Sequence, residues 1–470
     1  MPSADPVTGA SREVRPDDLD ALEPGAVEGR PGRRFLVWLL VLVGVGVAIR
    51  FPYLWWDRRH VEFLGDSYYY HQGANLLADG QGFINPFTRN FYGETLEAAD
   101  HPPAYLVYLS LFSVVGLTSV TAHMLASALL GLSSIVLAGF VGRRVAGDRV
   151  GLIAAGLVAI APNVWRYDGA MLSEVMVIPL VLLAALLGYR YWDRPSVWRL
   201  VWLGAVVGLG GLTRAELLLL VPMLVIPLAL LTRRVSVRSR VAWAVAGSVV
   251  AGLVVMPWIV FNAARFEEPV LFTQNLGQTL AGANCDSTYY GELVGYWDFA
   301  CPVAVLAENG ISRSTLDSER SERLVREAGI DYMRDHPRRV PLVVGARVGR
   351  IVGVYRPTQQ RDLDALTEGV TMWVATLGMV TVPVTIAGAV AGGVVLRRRG
   401  RLTMPLVMPV ASVLVTVVVF YAASRFRATA EGPMLVLCAV ALDAAWRWWR
   451  ARSHRGDPEP VSEDGVPVPA

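Results

Sequence analysis

A carboxylate followed by three tyrosines and a histidine stands at residues 65–71 (GDSYYYH). A carboxylate beside a bound hydroxyl can accept its proton, and aromatic rings beside it can stack on a sugar ring. Asp66 is therefore a candidate catalytic residue, with Tyr68 and Tyr69 as candidate substrate contacts. The same spacing also fits a solvated loop aspartate that caps the helix beginning after it, so both interpretations stay open.

A second polar pair, Asp100 and His101, precedes two prolines in residues 100–103 (DHPP). Paired prolines end one element and set the direction of the next. Asp100 and His101 can hydrogen-bond a substrate or a metal, and both are candidate substrate contacts. A polar turn is the more economical interpretation of the same residues.

Further ionisable residues lie at the ends of apolar runs, where burying a charge is costly and therefore points to function. Glu174 begins one such run and is a second candidate catalytic carboxylate. Arginine suits a phosphate ligand because its planar fork donates two hydrogen bonds and keeps its charge. The remaining candidate substrate contacts are Arg214, Glu216, Arg347, Arg350, Arg425 and Arg427. For Arg214 and Glu216 the alternative is an ordinary short turn between two spans.

The composition identifies the elements that must position these residues. Of 470 residues, 54% are hydrophobic and 18% are charged, and the mean hydropathy is +0.43, which is too apolar for a soluble protein. About ten runs are long enough to cross a bilayer. They lie near 35–51, 119–142, 149–163, 172–191, 198–213, 215–232, 241–262, 368–396, 402–421 and 432–449. We therefore predict an all-α polytopic membrane protein.

The runs divide the chain into one membrane domain and two tails. Residues 1–34 combine many Pro, Gly and charged residues with few large apolar ones, which predicts a disordered cytoplasmic tail. Residues 450–470 are predicted to form a second such tail. Residues 35–449 form the transmembrane domain that carries the candidate site.

Two long segments interrupt the membrane domain, and we call them loop A (52–118) and loop B (263–367). Each contains one apolar segment, 104–116 in loop A and 340–355 in loop B. These segments are too short, or too often interrupted by Arg, to span a bilayer. We expect both to be helices lying at the membrane interface.

The basic residues indicate the orientation. All 43 Lys and Arg positions are Arg, which a GC-rich coding bias explains, and clusters of them flank alternate runs, as at 143–149, 233–240 and 397–401. The positive-inside rule then places both termini in the cytoplasm and both loops outside the plasma membrane. Because the net charge is only +3 and the Arg clusters are short, the sequence excludes a continuous basic face for nucleic acid.

Cys285 and Cys301 of loop B face an oxidising compartment on this topology. They either pair in a disulfide or remain two free thiols, and the sequence leaves both interpretations open. No His or Cys pair has the spacing of metal ligands. We therefore expect no required cofactor, although a divalent metal ion remains compatible with the sequence.

In their order along residues 35–449, these pieces resemble the GT-C glycosyltransferases, in particular the group related to protein O-mannosyltransferases and to the lipid A aminoarabinose transferase. The matching pieces are residues 65–69 (GDSYY), 101–103 (HPP), 142–144 (GRR), 172–174 (LSE), 211–214 (GLTR) and 424–427 (SRFR) with Pro433. The chain departs from many relatives in having Ser67 where a second acidic residue follows the first-loop Asp. It also has Glu174 where relatives often have Asp.

The resemblance implies a sugar donor linked to polyprenyl phosphate, an active site on the outer membrane face, and a catalytic Asp that falls on Asp66. We expect Asp66 to deprotonate an acceptor hydroxyl while arginines hold the phosphate, with inversion at the sugar carbon. The acceptor is a glycolipid, a polysaccharide or a protein, and the partners are this acceptor, the donor and membrane lipid.

Two other functions remain alternatives. A lipid or solute carrier, or flippase, also needs several spans, but it often shows an internal repeat with paired broken helices. We find no such repeat in the sequence. A noncatalytic scaffold would not need Asp66, Glu174 and Arg214 together.

Overall fold

The computed structural model describes residues 29–58, 65–267, 270–311 and 319–453. Within these ranges the regular elements are helices, and an isolated bridge between Ile84 and Glu97 is the only β contact. The first helix begins at Arg33 and the last ends at Ser453. Most of the two predicted tails therefore lies outside the described residues.

Six helical segments of the described chain are long and apolar enough to cross a membrane. They are α1 (Arg33–Pro52, continued by a π-helical turn, Tyr53–Arg58), α4 (Val120–Ala146), α7 (Glu174–Asp193), α10 (Val237–Ala263), α17 (Met372–Arg398) and α19 (Ala428–Ser453, preceded by a 3-10 turn, Ser424–Arg427). A bent pair, α5 (Asp148–Ile160) and α6 (Pro162–Ala170), forms a seventh if it counts as one span. The bend of 48° falls at Pro162, which cannot donate a backbone hydrogen bond.

Shorter apolar helices cover the remaining predicted runs. They are α8 (Val197–Gly211), the continuous turns Ala215–Leu219 and Val221–Val225 leading into α9 (Ile226–Leu231), and α18 (Met404–Val419). Each of the ten predicted runs thus coincides with helical structure, and the prediction of an all-α polytopic membrane protein is confirmed.

The loops are largely helical as well. Loop A contains α2 (Asp66–Ala78), a π-helical turn (Thr88–Tyr92) and α3 (Ala104–Val114). Loop B contains α11 (Leu276–Ala283), α12 (Asp286–Tyr289), α13 (Ala300–Glu308), α14 (Glu319–Asp335), α15 (Val340–Ile351) and α16 (Pro357–Thr367). The two segments predicted as interface helices are therefore helical, as α3 and α15. A disulfide joins Cys285 to Cys301, which decides between the two interpretations of these cysteines.

Glycines allow the membrane helices to approach one another closely. A Cβ added to Gly204 of α8 would overlap the carbonyl oxygen of Gly247 of α10. A Cβ added to Gly142 of α4 would lie 3.0 Å from the Cα of Gly151 of α5. Small residues at such crossings let backbones pack in contact, so these pairs bring α8 against α10 and α4 against α5.

A buried ion pair connects α1 to α6 inside the bundle. Arg50 of α1 donates to Asp168 of α6 at 2.5 Å, and the two side chains are 2% and 0% exposed. Removing one partner of such a pair leaves an uncompensated buried charge. This pair therefore fastens α1 to the broken helix, and nothing in the sequence pattern predicted it.

Candidate active site

Four charged side chains meet at the end of the bundle from which loops A and B emerge. At their centre is Arg425, in the 3-10 turn before α19. Its Nη1 atom lies 2.7 Å from Asp66 Oδ2 and 3.4 Å from Glu368 Oε2. Its Nε atom donates to Glu174 Oε1 at 2.7 Å. One guanidinium group thus joins loop A, loop B and helix α7.

Local backbone geometry places two of these carboxylates at helix starts. Gly65 has φ +58°, a left-handed conformation that glycine adopts without steric cost, and Asp66 then begins α2. Met171, at φ +49°, turns the chain out of α6, and Glu174 begins α7 three residues later. A carboxylate is favourable at a helix N-terminus because the helix dipole is positive there.

A second arginine, Arg214, completes the cluster. It donates through Nη1 to the Glu174 oxygen that also accepts from Arg425, and through Nε to Glu216 Oε1 at 2.5 Å. Its guanidinium lies 5.1 Å from the centre of the Phe426 ring. Glu174, with a side chain that is 0% exposed, therefore holds the two guanidinium groups side by side.

Both arginines keep donors for a ligand. Among the described residues, the hydrogen bonds of Arg214 and Arg425 use their Nε and Nη1 atoms. Each guanidinium has five N–H donors, so the two Nη2 groups are available to an anion. Arg214 is 14% exposed and Arg425 is 13% exposed, which leaves them reachable from the loop side.

His101 supports Asp66 from the other side. Its Nε2 atom lies 3.3 Å from Asp66 Oδ1, and its ring stacks on Tyr70 at 5.0 Å. Burial on its own would raise the pKa of Asp66, but the neighbouring His101 and Arg425 outweigh it and hold that pKa well below its ordinary value. Asp66 is therefore ionised and oriented by two partners.

The tyrosines predicted as substrate contacts have different surroundings. Tyr68 is half-buried, accepts a hydrogen bond from Asn90 at 2.9 Å, and stacks with Phe91 at 5.7 Å. Tyr69 is 4% exposed and meets the edge of His101 at 5.0 Å. Tyr68 thus packs against Asn90 and Phe91 of loop A, whereas Tyr69 packs behind His101.

Asp100, also predicted as a substrate contact, holds the two loops together. Its Oδ2 atom accepts from Asn85 of loop A at 3.0 Å. Its main-chain carbonyl accepts from Asn275 of loop B at 2.7 Å. Since Asp100 is 7% exposed, these contacts position His101, the next residue, rather than offering a surface carboxylate.

Three predicted phosphate contacts lie elsewhere. Arg347 donates to the carbonyls of Val418 and Ala283, and Arg350 donates to the carbonyl of Val294. Arg427 donates to Glu431 Oε1 at 2.6 Å and to the carbonyl of Ile351 at 3.1 Å. The structure buries all three guanidinium groups and uses them to fasten loop B and the start of α19. Within the described residues, it brings only Arg214 and Arg425 of the predicted arginines to the cluster.

The sequence interpretation missed Glu368, which follows α16. Burial raises the pKa of Glu368 to about 7, with Arg425 opposing the rise and the charges of Glu174, Asp66 and Asp364 adding to it. Residue 368 was predicted as the first residue of a span, whereas α17 begins at Met372. A lone carboxylate at the end of an apolar run is the signal that identified Glu174, and it was available here too.

A second missed group holds Arg425 in place. Asp364 Oδ2 accepts from Arg166 at 3.0 Å and from the hydroxyl of Ser424 at 2.6 Å. Arg166 also donates to Ser424 Oγ at 2.7 Å. These buried bonds fix the residue that precedes Arg425 and connect loop B to α6.

The carboxylates of the cluster share a guanidinium group as a partner. Asp66, Glu174 and Glu368 all contact Arg425. In the described part of the chain, no group of three or more His, Cys, Asp or Glu side chains has the arrangement of a metal site. The expectation that no cofactor is required stays a prediction.

Part of the chain matches a known protein family. Residues 100–261, about a third of the chain, match the family model described as dolichyl-phosphate-mannose-protein mannosyltransferase. Asp66, Glu368 and Arg425 lie outside that match. Among curated protein sequences, none matches the chain.

Solved structures cover almost the whole chain. The oligosaccharyltransferase AglB from Archaeoglobus fulgidus, solved with an inhibitory peptide and a dolichol-phosphate, aligns at a TM-score of 0.54 and 16% identity over 92% of this chain and 53% of AglB. The same organism's oligosaccharyltransferase in complex with Zn and sulfate aligns at 0.53 and 15% identity, over 88% and 50% of the two chains. ArnT from Cupriavidus metallidurans, bound to undecaprenyl phosphate, gives 0.43 and 16% identity over 90% and 81%.

The two alignments with the Archaeoglobus fulgidus enzyme show the fold. The chain has the GT-C fold of membrane glycosyltransferases, as the resemblance predicted. It spans about half the length of the archaeal enzymes that it matches.

Proposed function

We propose that this protein is an integral membrane glycosyltransferase that moves a sugar from a polyprenyl-phosphate donor to an acceptor hydroxyl. One observation carries the proposal: Glu174 pairs Arg214 with Arg425, and Arg425 in turn contacts Asp66. Two guanidinium groups with free donors beside an ionised carboxylate are the groups that such a transfer needs. The GT-C fold and the partial mannosyltransferase match support the same class of reaction.

The chemistry follows from the charges. The Nη2 groups of Arg214 and Arg425 bind the donor phosphate, and their positive charge stabilises the phosphate anion that leaves with the electron pair of the broken C1–O bond. Asp66 binds the acceptor hydroxyl, the O–H bond breaks with its proton passing to a carboxylate of the cluster, and the hydroxyl oxygen forms the new bond to C1. Attack opposite to the leaving phosphate inverts the configuration at C1.

The expected setting of the reaction is the outer face of the plasma membrane. The chain is a multi-pass membrane protein, and the Arg clusters of the sequence favour cytoplasmic termini and an outward-facing site. The dolichol-phosphate bound to AglB supports a lipid phosphate as one ligand. The second substrate is a hydroxyl of a glycolipid, a polysaccharide or a protein.

A carrier or flippase is less well supported. Carriers commonly pair two broken helices at the bilayer midplane. The described residues contain one bent pair of spanning length, α5 and α6. The charged cluster lies instead at the loop end of α7 and α19, where a reaction at the membrane surface requires it.

The test is release of free polyprenyl phosphate by the purified protein. Radiolabelled polyprenyl phosphates carrying mannose, arabinose or glucose are supplied with candidate acceptors, and the released lipid phosphate is quantified. We expect Asp66→Asn to abolish release while membrane insertion is unchanged. Asp79→Asn, at the exposed far end of α2, is the matched control and should retain activity. Full activity of Asp66→Asn would contradict the proposal.

A further inference from the structure

Glu368 is a buried carboxylate inside the cluster that the proposed reaction has not used. It is 8% exposed and lies just after α16, at the end of loop B. Its Oε2 atom lies 3.4 Å from Arg425 Nη1, the atom that also lies 2.7 Å from Asp66 Oδ2. An acceptor hydroxyl bound by Asp66 beside that nitrogen is therefore next to Glu368 as well.

The charges around the two carboxylates differ. Asp66 lies between His101 and Arg425, so both of its oxygens face a group that can be positive. The charged groups acting on Glu368 are Arg425 and the carboxylates Glu174, Asp66 and Asp364. Two tyrosines, Tyr296 and Tyr421, also feel its charge. Arg425 thus contacts the Glu368 carboxylate as a cation, several anions lie near it, and Arg58 donates to the carbonyl of the next residue, Gly369.

This difference separates the two carboxylates as proton acceptors. The low pKa of Asp66 makes it a good anchor for a hydroxyl and a poor final holder of its proton. A proton acceptor works best when its pKa is near the working pH, and burial together with the neighbouring carboxylates raises the pKa of Glu368 to about 7.

We infer that Glu368 is the residue that receives the acceptor's proton during sugar transfer, in place of Asp66, to which the sequence resemblance assigns that role, while Asp66 orients the hydroxyl. The inference rests on the proposed glycosyltransferase function. In the step, the O–H bond of the acceptor breaks and its proton passes to the Glu368 carboxylate. The hydroxyl oxygen bonds to C1, and the polyprenyl phosphate leaves with the electron pair of the old C1–O bond. Glu368 then returns the proton to water.

The inference predicts a direction of pH dependence. Glu368 accepts a proton only when it is ionised, which holds above about pH 7 and fails below it. The kcat of the wild type should therefore fall as the pH decreases through about 7. Asp66 stays ionised throughout that range, so it does not contribute to the decrease of kcat near pH 7.

The experiment compares Glu368→Gln, Glu368→Asp and Glu292→Gln by polyprenyl phosphate release between pH 5 and 9. Glu292 is the matched control because it is an exposed glutamate of the same loop. Removing a general base typically costs about 10²- to 10⁴-fold in rate. Glu368→Gln should lose that much kcat with little change in the donor KM, and its residual activity should lack the limb near pH 7. In Glu368→Asp, kcat should still decrease at low pH, but the decrease should occur at a lower pH than in the wild type. Glu292→Gln should match the wild type.

The outcomes are distinguishable. A wild-type kcat in folded Glu368→Gln would overturn the inference. The inference would also fail if the residual activity of Glu368→Gln still decreased below pH 7 as in the wild type, because Glu368 would then be a positioning residue only. If Glu368→Gln fails to fold, Glu368→Asp provides the test. The inference is contradicted if kcat of Glu368→Asp decreases at the same pH as kcat of the wild type. Failure of the proposed function looks different: the wild type itself would then release no polyprenyl phosphate from any donor.

Discussion

Replacing Arg425 with lysine tests the centre of the cluster without removing its charge. The guanidinium reaches Glu174 through Nε and both Asp66 and Glu368 through Nη1. Lysine has a single nitrogen at the end of its chain, so it cannot occupy both positions. The change therefore keeps one positive charge and breaks the connection between α7 and the two loops.

The magnitude follows from the contacts that are lost. A hydrogen bond to a charged group is worth about 1.5–3 kcal/mol, and Arg425→Lys loses at least one such bond. Each 1.36 kcal/mol corresponds to a factor of ten in rate. The lost hydrogen bond alone therefore lowers kcat/KM about 10- to 150-fold. Since the Nη2 group is also proposed to bind the donor phosphate, we expect the measured loss to exceed this range.

The assay is the release of labelled polyprenyl phosphate at saturating acceptor, with donor concentration varied. The matched control is Arg398→Lys, at the exposed end of α17 among the arginines that the positive-inside rule explains. There only charge matters, so activity should stay at the wild-type level. A fully active Arg425→Lys would refute the reasoning, because a single ammonium nitrogen would then serve as well as the guanidinium group.

Two further predictions concern loop B and the cofactor. The disulfide closes a loop with a sequence separation of 16, so Cys285→Ser should lower the free energy of unfolding by about 3 kcal/mol. The prediction is contradicted if Cys285→Ser melts at the wild-type temperature and the wild type melts at the same temperature under reducing and oxidising conditions. Because Arg425 contacts all three carboxylates and Arg214 and Arg425 are the proposed phosphate ligands, EDTA should leave polyprenyl phosphate release unchanged. Activity that is lost with EDTA and restored by Mn²⁺ or Mg²⁺ would show that a metal is needed.

The membrane helices could be predicted because apolar length is a property of the sequence alone. A run of about twenty apolar residues crosses a bilayer whatever its neighbours are. All ten predicted runs are helical, and in the described chain six segments, or seven with the bent pair, are long enough to span. Their exact ends were less predictable. The boundary at 368 was wrong by four residues, since α17 begins at Met372 and leaves Glu368 in the cluster.

Part of the site was predictable for a similar reason. Asp66, Glu174, Arg214 and Arg425 are charged residues at the ends of apolar runs, where a charge is conspicuous in any sequence. Their mutual contacts were not predictable, because Glu174 and Arg425 are 251 residues apart. Glu368 carried the same signal and was missed because it was counted as part of a span.

The arginines show what the sequence by itself determined and what only the tertiary structure decided. Because charge and apolar length act along the chain, the sequence determined that this is a membrane protein and that Asp66, Arg214 and Arg425 stand where its spans end. It could not show which arginines bind phosphate, since all of them carry the same charged guanidinium group. The tertiary structure buried Arg347, Arg350 and Arg427 against backbone carbonyls and a glutamate, and left donors of Arg214 and Arg425 at the cluster. That choice depends on which helices pack together, because a hydrogen bond acts only over about 3 Å.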